Sequence, residues 1–136
     1  MEPSGILEAA LYVSEIDRAA EFYGKVIGLK QISKDSQRHV FFYCGESIVL
    51  LFRADATKVK TSEVPEHGSE GQGHLAFCIS SEEIDDWRAH LTKCEIEIEA
   101  EVTWPAGGYS IYFRDPDGNS IELATKTVWP ERAENN

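Results

Sequence analysis

Two stretches of this 136-residue chain repeat one another. Glu8 stands six residues before Ser14 and His74 stands six residues before Ser80, so both pairs share one offset of 66 positions. Around each pair the order is the same: a short apolar strand, a polar cap, then a helix. Self-similarity at a fixed offset marks a duplicated supersecondary unit, and such a unit leaves an apolar sheet face that has to be covered. This constrains the fold more than any single motif does.

In the first copy, residues 6–13 alternate, with Leu7, Ala9, Leu11 and Val13 on one face and Glu8, Ala10 and Tyr12 on the other. Ser14, with Asp17 three residues on, is a variant of the capping box. Ile16, Ala19, Ala20, Tyr23, Val26 and Ile27 then recur at helical spacing, and Gly28 is placed to close the helix. Strands are predicted over 29–33, 38–44 and 47–53, the last two joined by a tight turn at Cys44-Gly45-Glu46.

The second copy begins near Gly73. His74, Ala76 and Cys78 share one strand face and Leu75, Phe77 and Ile79 the other; Ser80 with Glu83 forms a standard capping box. Ile84, Trp87, Arg88 and Leu91 carry a helix to about Lys93. Segment 95–103 sets Glu95, Glu97, Glu99 and Glu101 against Ile96, Ile98 and Val102, which predicts a strand with one solvated face near a sheet edge. Strands over 109–114 and 119–125 flank Asp115-Pro116-Asp117-Gly118, where Pro presets φ and Gly supplies a positive one.

The expected architecture is α+β: two tandem βαβββ modules, about 6–53 and about 73–125, forming a cupped, barrel-like mixed sheet with the helices outside. Together they make a single domain over 1–136. Residues 54–72 form a linker loop, long enough to act as a lid or binding loop or to be a solvated connection. The tail 126–136 is expected to be mostly disordered, with Val128-Trp129-Pro130 able to pack back onto the sheet.

A net charge of −11 argues against nucleic acid or an anionic membrane as partner, because both demand basic surface. No apolar run approaches the roughly 20 residues of a membrane span, and Met1-Glu2-Pro3 lacks the basic start of a signal peptide, so a cytoplasmic location is expected. Cys44, Cys78 and Cys94 form no CxxC pair and read as reduced structural thiols.

With the helices covering the Leu11/Phe77 face, Glu8, His74 and Glu122 lie on the inward parity. Imidazole plus two carboxylates suits Fe²⁺, Mn²⁺, Zn²⁺, Ni²⁺ or Co²⁺. Three protein ligands leave coordination positions open for water or substrate, as catalytic metal sites do. Taken singly, each residue has a plainer reading, as an exposed strand carboxylate, a hydrogen-bonded strand histidine and a half-exposed strand glutamate. Their symmetry-matched positions tip the balance toward a site. Tyr12, Arg53, His67, Trp104 and Tyr109 are the candidate substrate-binding residues, with Arg38 and His39 as further sources of anion contacts or a proton relay. No nucleophile triad, P-loop or GxGxxG competes.

Several segments also resemble a known group: Leu11-Tyr12-Val13, the helix 17–23, Val26-Ile27-Gly28-Leu29, Gly73-His74-Leu75-Ala76-Phe77 and, most specifically, Phe113 to Leu123 with its Asp-Pro-Asp-Gly turn and Glu122. Over residues 6–125 the chain resembles the vicinal oxygen chelate superfamily of glyoxalases, extradiol dioxygenases, and fosfomycin and bleomycin resistance proteins. The resemblance implies one divalent metal (Zn, Ni, Fe or Mn) held by Glu8, His74 and Glu122, with Glu8 and Glu122 in catalytic roles. It also implies a small-molecule substrate chelated through vicinal oxygens, and a homodimer.

The chain departs from the pattern in two places. The first ligand position carries Glu8 where the family often has His, and the fourth-strand position that carries a carboxylate in glyoxalase I is apolar here, at Val49 or Leu50. The implied function is a glyoxalase-like, metal-dependent lyase or isomerase with bound water or Glu8 as proton acceptor. The alternatives are an extradiol-type dioxygenase, or a resistance protein that binds a drug or metabolite without turnover.

Overall fold

A computed structural model describes residues 1–133, and the chain divides into two compact units. The first comprises Met1–Gly73 together with Asp115–Asn119; the second comprises His74–Arg114 and the chain from Ser120 onward. Among the described residues no helix is long and apolar enough to cross a membrane.

The first unit runs β1 (Glu8–Tyr12), α1 (Ile16–Lys25), β2 (Lys30–Asp35), β3 (His39–Cys44), β4 (Ser47–Phe52) and a short α2 (Ala54–Thr57). Its sheet has the order β1-β4-β3-β2, with β1 parallel to β4 and the other pairs antiparallel. Ile16, Ala19, Phe22 and Tyr23 give α1 one buried face. They meet the sheet face that buries Leu11, Val40, Phe42, Val49 and Leu51. Each such side chain contributes about 1.5–3 kcal/mol by leaving water, so this face alone commits the strand parity.

The second unit repeats the plan. β5 (His74–Cys78), a 3₁₀ turn at Ser81–Glu83, α3 (Ile84–Lys93), β6 (Ala100–Thr103), β7 (Tyr109–Arg114) and β8 (Ser120–Ala124) form a sheet ordered β5-β8-β7-β6. Leu91 of α3, with Phe77, Ile111, Phe113, Ile121 and Leu123, makes its core. The α+β architecture of two βαβββ modules therefore stands.

The Asp115–Asn119 turn joins two strands of the second sheet but belongs to the first unit, and polar chemistry explains why. Asp115 Oδ2 accepts from the Tyr23 hydroxyl at 2.8 Å and from Asn119 Nδ2 at 2.9 Å, while its Oδ1 accepts from the Asp117 and Asn119 amides. Asn119 Nδ2 also donates to the Tyr12 carbonyl, and Asn119 Oδ1 accepts from the Gly73 amide at 2.7 Å. A Cβ on Gly73 would lie 2.7 Å from Leu11 Cδ2, so a larger residue there would have to displace the buried Leu11 side chain. Buried polar groups are stable in such a position when paired, as the side chains of Asp115 and Asn119 are; Asp117 Oδ2 is the exception, buried with no hydrogen-bond partner among the described residues.

Three expectations need correction. Ser14 and Asp17 form no capping box: Glu15 holds the N-cap position without a side-chain cap, the Ser14 amide donates to Asp117 Oδ1, and Asp17 binds Lys34 and Ser36. The second helix does carry its Ser80–Glu83 box. The predicted strand 95–103 shrinks to Ala100–Thr103, because Glu95 turns left-handed at φ 58° and the Ile96 amide returns to the Leu91 carbonyl to close α3. Glu99 and Glu101 pair with Arg114 and Arg88. The linker 54–72 is anchored to its own unit by α2, by the His67 amide on the Thr57 carbonyl and by Lys58–Glu70.

The tail, expected to be mostly disordered, forms a 3₁₀ turn at Lys126–Val128 that packs tightly on Gly108, though Trp129 stays 77% exposed. The last part of that expectation, 134–136, lies outside the described residues.

Candidate functional site

The face of each sheet away from its helix consists of three cross-strand rows, and the register makes the two sets directly comparable. In the first sheet they read Glu8–Ile48–Tyr43, Ala10–Leu50–Phe41 and Tyr12–Phe52–His39. In the second they read His74–Ser120–Arg114, Ala76–Glu122–Tyr112 and Cys78–Ala124–Ser110. Glu8 and His74 are thus true counterparts. Leu50, not Val49, is the counterpart of Glu122, so the first module offers no carboxylate at that position.

In the second sheet His74 and Glu122 meet. His74 Nδ1 lies 3.0 Å from the Ser120 carbonyl, which only accepts, so Nδ1 carries the proton. His74 Nε2 then faces Glu122 Oε2 at 3.2 Å, a nitrogen lone pair against a carboxylate oxygen. Two lone-pair-bearing atoms in that arrangement repel unless a proton, which makes an imidazolium–carboxylate ion pair, or a metal cation lies between them. A ring N–H donated to a backbone carbonyl is also what orients a metal-ligating histidine.

Glu122 is only 8% exposed, and its other oxygen is already satisfied. Ser110 Oγ donates to Glu122 Oε1 at 2.5 Å and in turn accepts from Trp104 Nε1 at 2.9 Å. The relay Trp104–Ser110–Glu122 leaves Oε2 as the oxygen available to an incoming cation. Tyr112 stacks on the His74 ring at 6.5 Å; burial, and then the neighbouring Glu122 carboxylate, push its hydroxyl pKa above the usual tyrosine value. By donor chemistry the pair fits a divalent metal. Among the described residues, no cluster of three or more His, Cys, Asp or Glu side chains is placed to hold one.

In the first sheet Glu8 lies at one end of a cleft of about 560 Å³. Phe41, Leu50, Phe52, Arg38, Val64 and His67 line the rest. The Tyr12 hydroxyl is 2.7 Å from His67 Nδ1, and the His67 ring meets Phe52 edge-on at 4.8 Å. Two expected substrate-binding residues, Tyr12 and His67, therefore act as a bonded pair.

Two others are placed differently. Tyr109 lies on the helix-bearing face with Ile111 and Phe113, where its hydroxyl accepts from Arg88 Nη2 at 2.8 Å. The tyrosine opposite Glu122 is Tyr112. Arg53 spends its guanidinium on Asp55, at 3.2 and 2.6 Å, and on Gln37, so it is Arg38 that faces the cleft. Ser110 and Tyr112 carry no sequence motif, and only their pairing with Ala124 and Glu122 in the β7–β8 register would have marked them.

The fold defines a class first: a duplicated βαβββ protein that sets a histidine and a glutamate against each other on the open face of its second sheet. A sequence model of the Glyoxalase/Bleomycin resistance protein/Dioxygenase superfamily matches residues 5–123, and the chain belongs to that superfamily. It is 30% identical over 125 residues to the metallothiol transferase FosB of Staphylococcus haemolyticus, covering 91% of this chain and 85% of that one. The fosfomycin resistance protein FosX of Listeria monocytogenes is 24% identical, covering 92% of each. Among solved structures, lactoylglutathione lyase from Agrobacterium tumefaciens superposes with a TM-score of 0.91 at 38% identity, covering 96% of this chain and all of that one.

Proposed function

We propose that this protein is a metal-dependent enzyme acting on a small substrate chelated through vicinal oxygens, with His74 and Glu122 as metal ligands. The observation that carries this is the facing of His74 Nε2 and Glu122 Oε2 at 3.2 Å, each fixed from behind by its own hydrogen bond. Glu8 is proposed as a further ligand because its register in the first sheet is that of His74 in the second. A bound divalent metal would supply Lewis-acid polarisation of a substrate oxygen. His74 keeps its proton on Nδ1 throughout, and Ser110 holds Glu122 in one rotamer. With Leu50 where a second-module-like carboxylate would stand, Glu8 is the side chain available to accept a substrate proton.

A lyase or isomerase of the glyoxalase type is the leading reaction, favoured by the similarity to a lactoylglutathione lyase over nearly the whole chain. Metal-dependent thiol transfer is the second reading, favoured by the relationship to a metallothiol transferase. A homodimer is part of the proposal.

The test is to load the protein with Zn²⁺, Ni²⁺, Mn²⁺ or Fe²⁺ and assay it on lactoylglutathione and on fosfomycin with a thiol. Turnover of the first favours the lyase, and thiol-dependent loss of the second the transferase. Oxygen uptake with Fe²⁺ on a catechol would replace both with a dioxygenase. Absence of turnover, with ligand affinity unchanged in Glu122→Ala, would leave a non-catalytic binding protein.

A further inference from the structure

Arg38 stands apart from the other arginines of the folded units. Arg18, Arg53, Arg88 and Arg114 each pair with a carboxylate, in a chain where acidic residues outnumber basic ones 24 to 13. Arg38 pairs with none among the described residues. Its Nη1 donates to His39 Nδ1 at 3.0 Å, and its guanidinium carbon sits 5.3 Å over the Phe52 ring. Burial, and then Arg38 itself, hold the His39 pKa below the ordinary histidine value, so this imidazole is a neutral acceptor rather than a repelling cation. The guanidinium is therefore positioned from two sides by uncharged groups, while its Nε and Nη2 edge has no partner among the described residues. That edge presents two parallel N–H groups, the geometry that matches a planar carboxylate.

The surroundings specify the rest of such a ligand. Arg38 and Glu8 line the same cleft, but at opposite ends of it. Glu8 belongs to the row at the start of β1, whereas Phe52 and His39 belong to the Tyr12 row four residues along, about 13 Å away at roughly 3.3 Å per residue. The row in between is Ala10, Leu50 and Phe41, wholly apolar.

We infer that Arg38 is a specificity-determining residue that binds the carboxylate of an elongated substrate whose apolar middle lies over Leu50 and Phe41. This rests on the reading that the Glu8 cleft is part of the substrate site. A substrate of that class carries its reacting oxygens and its carboxylate at opposite ends of an apolar or aromatic body.

The test uses the full chain, stripped of metal with a chelator so that no cation competes for the probe. Binding of 3-phenylpropionate and of its neutral isostere 3-phenylpropanamide is followed by NMR on the Phe41, Phe52 and His67 ring signals. The carboxylate is expected to bind roughly ten-fold more tightly than the amide, as a charge-assisted paired contact should. Arg38→Gln is expected to abolish that ratio, and Arg38→Lys to restore only part of it. Equal affinities in the wild type, no saturable binding of the carboxylate, or an unchanged ratio in a folded Arg38→Gln protein would each overturn the inference. Because the measurement is made without metal, its failure leaves the metal reading standing, and loss of the metal reading leaves this result interpretable.

Discussion

Glu122 is held by a residue that no motif announces. Ser110 donates to one of its oxygens and is itself held by Trp104, so the carboxylate presents its second oxygen to His74. Groups that orient a metal ligand from behind typically carry 10–100-fold of the affinity. Ser110→Ala should therefore weaken divalent-metal binding by about that factor, while lowering stability by no more than about 1–2 kcal/mol. Metal titration beside a denaturant melt separates the two effects, and unchanged affinity would remove Ser110 from its positioning role. At this scale the sequence was half legible. Glu8, His74 and Glu122 could be placed by alternation and offset, because a strand's parity is a local property. Ser110, Tyr112 and the exclusion of Tyr109 could not, since they depend on which residue of β7 faces Glu122 across the ladder.

At the scale of elements, local signals succeeded where no distant group competed. The Ser80–Glu83 box formed as its spacing implied, whereas Ser14 lost its capping partner to the Asp117 carboxylate some hundred residues away. Ser80→Ala should cost about 1 kcal/mol of stability, and Ser14→Ala less than about half of that. Equal costs in a thermal melt would contradict the difference between the two helix starts.

The Asp115–Asn119 turn is the second case. It reads as a simple reversal, yet Tyr23 reaches it from α1. Tyr23→Phe leaves Asp115 one donor short and should cost about 1–3 kcal/mol. Burial foremost, and then the Asp115 charge, push the Tyr23 pKa far above its ordinary value of 10.0. A folded-state pKa raised above the unfolded one contributes stability that is fully present below about pH 10 and is lost as pH rises beyond it. Tyr23→Phe should accordingly flatten the alkaline limb of the stability profile. A limb of unchanged slope would show that another group controls it.

Across the whole molecule, the duplication was legible because each module must bury one sheet face under one helix. That requirement repeats in the hydrophobic pattern whatever the side chains opposite it do. The open faces were free to diverge, and there the register had to be observed. One face became an apolar cleft bounded by Glu8 and Arg38, and the other kept His74 and Glu122 with small neighbours such as Cys78, Ala124 and Ser110. Leu50 in place of a carboxylate is the sharpest break between the copies.

Whether His74 and Glu122 bind a divalent metal is read from metal stoichiometry and affinity by calorimetry. The purified chain, stripped and titrated with Zn²⁺, Ni²⁺, Mn²⁺ and Fe²⁺, should take up one ion per chain. His74→Ala and Glu122→Gln should each weaken that uptake by more than the roughly 10–100-fold that loss of an outer-shell partner costs. Uptake at the same stoichiometry and affinity in both variants, or no uptake by the wild type, would contradict binding by this pair.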